Sequence, residues 1–202
     1  MAKKDNSAFR QKVLLRKEAL KHVSGDPVIM ETHGGRGEIF RACYSHIQDG
    51  IVLEKDLNKS AILGLQRPTW RVYETDCEAA IREGVGSDMK INFLDIDPYG
   101  DPWRTIDAFL ESDRERVNSL CVVVNDGLRK SVRFGKSGDI GVFQDIVKKY
   151  GIKFYDFYLD ICQEMMKEKV GKAGYSLVHF SGYYCGTMSD ITHYMALLTL
   201  NQ

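Results

Sequence analysis

The chain has 202 residues with 28 basic and 28 acidic side chains, so its formal charge at neutral pH is zero. At 44% hydrophobic and 28% charged residues, the composition excludes disordered and collagen-like classes, and a chain of this length can bury a self-sufficient core. No apolar run reaches the ~20 residues of a membrane helix. We therefore expect one domain over residues 1–202 with no membrane partner.

The cysteines indicate a reducing compartment. There are five of them, an odd number, and they are widely spaced, with no C-x-x-C pair and no histidine at zinc-ligand spacing. This pattern predicts neither a disulfide framework nor a bound metal. The sequence is typical of a cytoplasmic protein.

The N-terminal segment carries an excess of positive charge. Residues 1–23 contain seven basic side chains and two acidic ones, a net charge of +5, so the remainder carries −5. Apolar residues at helical spacing predict a helix over about Ser7–His22. We expect residues 1–25 to form a basic helical arm packed on the domain. Its charges either form a solvated face or contact the phosphates of a nucleic acid or another anionic partner.

Beyond Pro27, apolar runs alternate with helical patterns. Seven runs predict strands: Val28–Met30, Ile51–Leu53, Trp70–Tyr73, Ile91–Ile96, Leu120–Val124, Tyr175–Phe180 and Tyr194–Leu200. Four patterns between the first five predict helices: Glu38–Ile47, Leu57–Leu65, Cys77–Arg82 and Trp103–Leu110. Because parallel neighbours need a crossover of a dozen residues, the alternation predicts an α/β fold, a doubly wound, mostly parallel seven-stranded sheet with helices on both faces.

After Asp126 the alternation changes. Helical patterns over Ile140–Tyr150 and Tyr155–Glu168 follow each other without an intervening strand. A loop over Ser181–Thr192 then separates the last two strands. We expect these two strands to form a hairpin-like pair.

A glycine-rich turn follows the first predicted strand. It reads Glu31, Thr32, His33, Gly34, Gly35, Arg36, Gly37, and such a turn lets the backbone pass close to a ligand. In an open α/β sheet, ligands bind beyond the carboxyl ends of the strands. The turn is not the dinucleotide fingerprint, because Phe40 stands where the third glycine would be. It is either part of a ligand site or a purely structural tight turn.

Acidic residues also follow the second and third strands. A carboxylate at Glu54 can accept hydrogen bonds from both hydroxyls of a ribose. Asp76, followed by Cys77, can accept from an adenine amino group or cap the next helix. Together these positions indicate an adenosine-type ligand.

The fourth strand ends in Asp95-Ile96-Asp97-Pro98-Tyr99-Gly100. Proline has no N–H and keeps the preceding residue extended, so the Asp97 carboxylate and the backbone carbonyls can point outward as acceptors. Tyr99 offers a flat face on which a planar base can stack. This arrangement suits an amine donor, although a plain strand end followed by a turn remains the alternative.

Taken in order, the glycine turn, the two acidic strand ends and this segment resemble the class I S-adenosylmethionine (SAM) dependent methyltransferases. Asp95 and the run Asp97–Gly100 are similar to the Asp-x-Asp-Pro-aromatic-Gly motif of the tRNA guanine N2-dimethyltransferase family. The resemblance implies a Rossmann-like fold, SAM as cofactor, and catalysis at Asp97, Pro98 and Tyr99. It implies a cofactor site made of Glu31, His33, Gly34, Gly35, Gly37, Glu54, Asp76, Cys77 and Asp95.

A basic segment after the fifth strand bears on the substrate. Leu128–Lys136 carries four basic residues and no acid, and we expect a loop at the ligand-binding rim. Arg129, Lys130, Arg133 and Tyr99 are the candidate substrate-binding residues. The segment either holds a phosphate backbone or is a solvated loop.

The first functional hypothesis is therefore an N-methyltransferase acting on an exocyclic nucleobase amine in RNA or DNA. The alternatives are a methyltransferase for a small or peptidic amine, and a non-catalytic methyltransferase-like subunit. A partner subunit could assist substrate recognition. A nicotinamide-dependent oxidoreductase is the least supported, because the third glycine of the fingerprint is missing.

Overall fold

The computed structural model describes residues 7–98, 100–133, 150–186 and 188–202. Over these ranges, seven strands form one sheet in the order β3-β2-β1-β4-β5-β7-β6. Their bounds are β1 Val28–Thr32, β2 Asp49–Glu54, β3 Arg71–Glu74, β4 Phe93–Ile96, β5 Ser119–Asp126, β6 Tyr175–Cys185 and β7 Ile191–Leu200.

The predicted α/β sheet is confirmed, including its mixed end. Strands β1 to β5 pair in parallel, whereas β7 lies antiparallel between β5 and β6. The sheet is thus mostly but not purely parallel. Strand order reverses between β1 and β4, and the crevice above such a point is where α/β sheets bind ligands.

Six α-helices accompany the sheet in the described part of the chain: α1 Ser7–Leu20, α2 Leu57–Gln66, α3 Cys77–Arg82, α4 Trp103–Glu111, α5 Leu128–Arg133 and α6 Tyr158–Lys172. The first four lie where the sequence patterns predict them. The predicted helix over Glu38–Ile47 is a short helical segment that widens into a π-helix at Phe40–Tyr44. None of these helices, over the residues described, is long and apolar enough to cross a bilayer.

Two predictions after Asp126 need correction, and one falls outside the described residues. The predicted loop Ser181–Thr192 is too long, because β6 continues to Cys185 and β7 begins at Ile191. The basic segment begins as helix α5 and not as a loop. The predicted helix Ile140–Tyr150 lies almost wholly outside the described residues.

The sheet separates two apolar layers. Alternation along β1 places Ile29 in one layer and Met30 in the other. One layer packs beneath α3, α4 and α6, with Trp103 fully buried, and the other beneath α1 and the π-helix. Helix α1 contributes Leu15 and Ala19 to this second layer.

A buried ion pair fastens α1 to the sheet. Arg16 donates from Nε and Nη2 to the two oxygens of Asp95, at 2.7 and 2.6 Å, and Tyr44 Oη donates to Asp95 at 2.7 Å. Arg16 and Asp95 are both fully buried. A protein interior tolerates two such charges when they are paired and when both carboxylate oxygens accept hydrogen bonds.

A second buried polar cluster joins β5 to α6. Asp126 accepts from the Leu128 backbone N–H at 2.8 Å and from Tyr158 Oη at 3.0 Å, and the Cys162 thiol lies 3.8 Å away. No cation lies among these partners. Burial raises the pKa of Asp126 to about 7, since desolvation outweighs the hydrogen bonds.

Packing at Gly50 provides a test of the fold. A Cβ on Gly50 in β2 would lie 2.6 Å from two atoms of the buried Trp70 ring, so Gly50→Ala must displace that ring. We expect a loss of about 1–3 kcal/mol in the free energy of unfolding. Gly64→Ala on exposed α2, where a Cβ meets nothing, should instead gain up to about 1 kcal/mol. Urea unfolding of both variants measures the contrast, and equal stability at Gly50 would contradict the Trp70 packing.

Asp126 predicts a specific pH dependence. Its ordinary pKa is 3.8 and the folded value is about 7, so between these values the unfolded state releases a proton that the folded state keeps. This carboxyl therefore lowers stability as pH rises from about 4 to 7, by up to about 1.4 kcal/mol per pH unit. Asp126→Asn retains an acceptor for Tyr158 and removes the titration.

The stability of Asp126→Asn relative to the natural protein should accordingly increase from pH 4 to pH 7. Urea unfolding of the two proteins across that range measures the difference, and other titrating groups cancel because both proteins contain them. A difference that stays constant with pH would contradict the raised pKa.

Candidate functional site

A cavity of about 500 Å³ opens at the carboxyl ends of β1, β2, β4 and β5, on the side covered by α1. This volume is within the range of small-molecule sites. Its lining consists of Phe9, Lys12, Glu31, His33, Gly34, Gly35, Arg36, Glu38, Ile39, Glu54, Lys59, Asp97, Pro98 and Asn125. The glycine turn and the two predicted carboxylates Glu54 and Asp97 thus lie around one space.

The glycine turn forms one wall of this cavity. His33 and Gly35 have φ values of 61° and 58°, a left-handed conformation that is costly for a non-glycine residue. A Cβ on Gly34 would clash with the side chain of Val52, so glycine is needed there for packing. Burial lowers the pKa of His33, which favours the neutral ring at neutral pH. The turn therefore presents backbone and a neutral imidazole to the cavity.

Glu54 connects the end of β2 to this turn. It accepts from Gly35 N–H at 2.8 Å through Oε2 and from Asp56 N–H at 3.0 Å through Oε1. Each carboxylate oxygen has two lone-pair sites, so each retains acceptor capacity. Glu54 is consequently held in one orientation and can still accept hydrogen bonds from the hydroxyl groups of a ligand.

Glu31 lines the cavity but already has a cationic partner. The Arg67 guanidinium lies 2.6 Å from Glu31 Oε2 and stacks over the Phe40 ring at 4.3 Å and near the Trp70 ring. Burial raises the pKa of Glu31, and Arg67 opposes that shift. Arg67 lies 36 residues along the chain from Glu31, and nothing in the local pattern around it indicates this role.

Asp97 forms the opposite wall of the cavity, and the ammonium group of Lys12 contacts it. Lys12 Nζ donates to Asp97 Oδ1 at 2.7 Å and to Oδ2 at 3.0 Å, and Asn125 Nδ2 donates to Oδ1. Arg16 lies 3.7 Å from Oδ2. Burial alone would raise the pKa of Asp97, but the charges of Arg16 and Lys12 outweigh it and hold that pKa below its ordinary value. Asp97 is therefore ionised at neutral pH.

Asn125 completes this wall. Its Nδ2 lies 3.5 Å from the Pro98 carbonyl oxygen, and its buried Oδ1 has no hydrogen-bond partner among the described residues. A buried acceptor without a partner costs roughly 1–3 kcal/mol, so a donor from a bound molecule would be favourable here. Asn125 is a site residue that the sequence reasoning did not single out, although it directly follows the apolar core of β5.

Nearby, His193 on β7 lies close to Lys12 and Arg16. Its Nδ1 is 2.8 Å from Tyr183 Oη on β6. Burial, followed by the two positive charges, lowers the pKa of His193 to about 3. The ring is neutral at physiological pH and adds no charge to the Asp97 end of the cavity.

Five of the predicted cofactor and substrate residues do not line the cavity, and one of them is Gly37, the last residue of the glycine turn. Asp95 is fully buried against Arg16 and Tyr44. Asp76 caps α3 by accepting from Ala79 N–H, and the buried Cys77 thiol donates to the Leu53 carbonyl. Arg129 is buried between two tyrosine rings, each 3.7 Å from the guanidinium carbon. We leave these four side chains out of the site, and Gly37, with a φ of 72°, contributes only to the shape of the turn.

Three further candidates receive no structural assignment to the site. Lys130 is exposed on α5. Tyr99 and the side chain of Arg133 lie outside the described residues. By contrast, the cavity includes Phe9, Lys12 and Lys59, which no motif in the sequence marks as site residues.

Comparison with known proteins identifies solved structures of similar fold. No protein-family model matches the sequence, and no curated protein sequence matches it significantly. Among solved structures, Trm1 from Pyrococcus horikoshii with S-adenosyl-L-methionine is similar with a TM-score of 0.67 at 11% identity, covering 96% of this chain and 55% of that one. This chain therefore spans about half the length of that protein.

Two further solved structures also have a similar fold. The N-methyltransferase NodS from Bradyrhizobium japonicum WM9 is similar with a TM-score of 0.63 at 10% identity, covering 98% of this chain and 99% of that one. TYW2 from M. jannaschii in complex with AdoMet is similar with a TM-score of 0.58 at 12% identity, covering 99% of this chain and 78% of that one. At these identities the likeness shows the architecture: the chain has the α/β fold of the SAM-dependent methyltransferases.

Proposed function

We propose that the protein is a SAM-dependent N-methyltransferase whose acceptor is an amine. One observation carries the proposal: a single cavity joins the glycine turn and Glu54 at one end to the ionised Asp97 at the other. A cofactor that contains a ribose fits the first end, and an N–H donor fits the second. The similar structures with bound SAM or S-adenosylhomocysteine support this assignment.

At the cofactor end, the turn His33–Gly37 would lie along the ligand and Glu54 would accept the ribose hydroxyls. Glu31 is fully buried with Arg67, so its proposed role is to hold the turn beside the methionine part of the ligand. When bound, SAM supplies a methyl group activated by a positively charged sulfur. The fixed orientation of Glu54 means that little side-chain entropy is lost on binding.

At the acceptor end, the residues of this chain position the amine. Asp97, the Pro98 carbonyl and Asn125 Oδ1, which has no partner among the described residues, would accept its hydrogens. Holding both hydrogens directs the nitrogen lone pair away from them, which is the orientation that in-line transfer requires. The negative charge of Asp97 also stabilises the positive charge that develops on the nitrogen.

For the acceptor itself we place a nucleobase amine in RNA or DNA first. Similar folds include Trm1 and a second protein from Pyrococcus horikoshii that is described as a putative RNA methyltransferase. A small or peptidic amine is the second candidate, since NodS and the plantazolicin methyltransferase BamL share the fold. The N-terminal arm contributes less to phosphate binding than its net charge indicates, because Asp95 and Asp97 neutralise Arg16 and Lys12.

The cofactor end predicts a loss of SAM affinity in Glu54→Gln. The amide cannot accept from both backbone N–H groups and has no charge to offer the ribose, so we expect affinity to fall about 10- to 100-fold. Glu74→Gln, at the exposed end of the neighbouring strand β3, should bind SAM as the natural protein does. Calorimetric titration measures both, and equal affinity of Glu54→Gln and Glu74→Gln would remove Glu54 from the site.

The acceptor end predicts a loss of turnover in Asp97→Asn. Tritium transfer from labelled SAM into separate RNA, DNA and small-amine pools should fall about 100-fold or more, because the charge facing the amine is gone. Binding of SAM should be retained. Ligand at 100 times its Kd adds about 2.7 kcal/mol of stability, which a thermal-shift assay detects. Turnover that is unchanged by this substitution would exclude N-methylation at Asp97.

A further inference from the structure

Lys12 occupies an unusual place beside the proposed acceptor group. Its Nζ contacts both oxygens of Asp97, and the two side chains are about equally exposed, at 21% and 19%. Lys12 itself lines the cavity. Any acceptor amine that approaches Asp97 therefore meets an ammonium group at the same time.

The charges around this point cancel. Lys12 balances Asp97, Arg16 balances Asp95, and His193 is neutral. A second ammonium group entering this space would gain no net attraction and would be repelled by Lys12 at close range. Like charges repel each other strongly in a partly buried site, so the Asp97 end disfavours a cationic alkylamine.

The hydrogen-bonding groups favour a different class of amine. An ammonium has three N–H donors and no acceptor, and Lys12 uses at most two of the three on Asp97. The remaining donor has no partner in the described part of the chain, whereas Asn125 Oδ1 is an acceptor without one. The two side chains that contact Asp97 thus offer one acceptor and one donor.

We propose that Lys12 is a specificity-determining residue that selects a neutral amino group conjugated to a ring nitrogen and rejects alkylammonium groups. In such an aminopyrimidine or aminopurine, the NH2 donates to Asp97 or Asn125, and the adjacent ring nitrogen accepts from Lys12. This inference rests on the proposed function, since it names the amine class for the same site. It favours the nucleobase acceptor over the peptidic one.

A pair of probes of similar size separates the two classes. 2-Aminopyrimidine is neutral at pH 7.5 and has a ring nitrogen beside its amino group, whereas benzylamine is cationic and has none. Binding of each is measured by ligand-observed NMR titration, with S-adenosylhomocysteine filling the cofactor end, so the readout does not depend on turnover. The natural protein should bind 2-aminopyrimidine more tightly.

Three variants test the role of Lys12. Lys12→Met has similar length and no charge, and it should shift the ratio of the two dissociation constants toward benzylamine by about tenfold or more, because Asp97 is then unbalanced. Lys12→Arg keeps the charge and should retain the preference. Lys17→Met makes the same change on the exposed face of α1 and should leave the ratio unchanged. Thermal unfolding confirms that each variant is folded.

The inference is overturned if the natural protein prefers benzylamine or binds no 2-aminopyrimidine, or if Lys12→Met has the same ratio as the natural protein. Failure of the proposed function looks different. In that case SAM binding is absent in calorimetry while the two probes are still discriminated in the NMR titration performed without S-adenosylhomocysteine.

Discussion

The buried pair of Arg16 and Asp95 determines how helix α1 lies on the sheet, and the acceptor end of the cavity depends on it. Both charges are removed from water, and each is stable there only while the other is present. Asp95 is fully buried against Arg16 and Tyr44 and does not line the cavity, so we assign it no ligand. Its position two residues before Asp97 nevertheless decides which side chain of α1 reaches the cavity.

At this contact, the spacing of the two basic residues along α1 matches the spacing of the two acidic residues along the chain at β4. Asp95 and Asp97 are two residues apart, so along the strand direction they are separated by about 6.6 Å. Lys12 and Arg16 are four residues apart on one helix face, with a rise of about 6 Å. The earlier helix residue pairs with the later acid, so α1 runs antiparallel to the end of β4. Once Arg16 is fastened to Asp95, the helix brings Lys12 to Asp97.

Much of the fold and half of the site could be predicted from the sequence, because both are encoded locally. Apolar runs and helical spacing specify β1 to β5 and α2 to α4, and the rule that ligands bind at strand ends collects Glu54, the glycine turn and Asp97. The extent of β6 was not predictable from the sequence pattern: Ser181 and Gly182 are typical of a loop, yet the pairing of Ser181–Cys185 with β7 makes this segment a strand.

The partners of the site residues could not be predicted, because they come from distant parts of the chain. Lys12 and Asp97 are separated by 85 residues, and Asn125 lies 28 residues beyond Asp97. A basic helical arm with a net charge of +5 suggests a surface for phosphates, and only the folded structure reveals that two of its charges face inward. The zero net charge of the chain thus includes opposite charges that neutralise each other inside the domain.

This internal neutralisation bears directly on the chemistry of Asp97. Burial raises the pKa of a carboxyl group and so favours its protonated form, which could not accept hydrogens from an amine with both oxygens. Arg16 and Lys12 keep Asp97 ionised, but their charges also make it less attractive to a cationic substrate. An ionised acceptor in an electrically balanced site is suited to a neutral amine, which has a free lone pair on arrival and needs no prior loss of a proton. In the proposed function, the same two basic residues therefore support the ionised state of Asp97 and narrow the class of amine that would bind there.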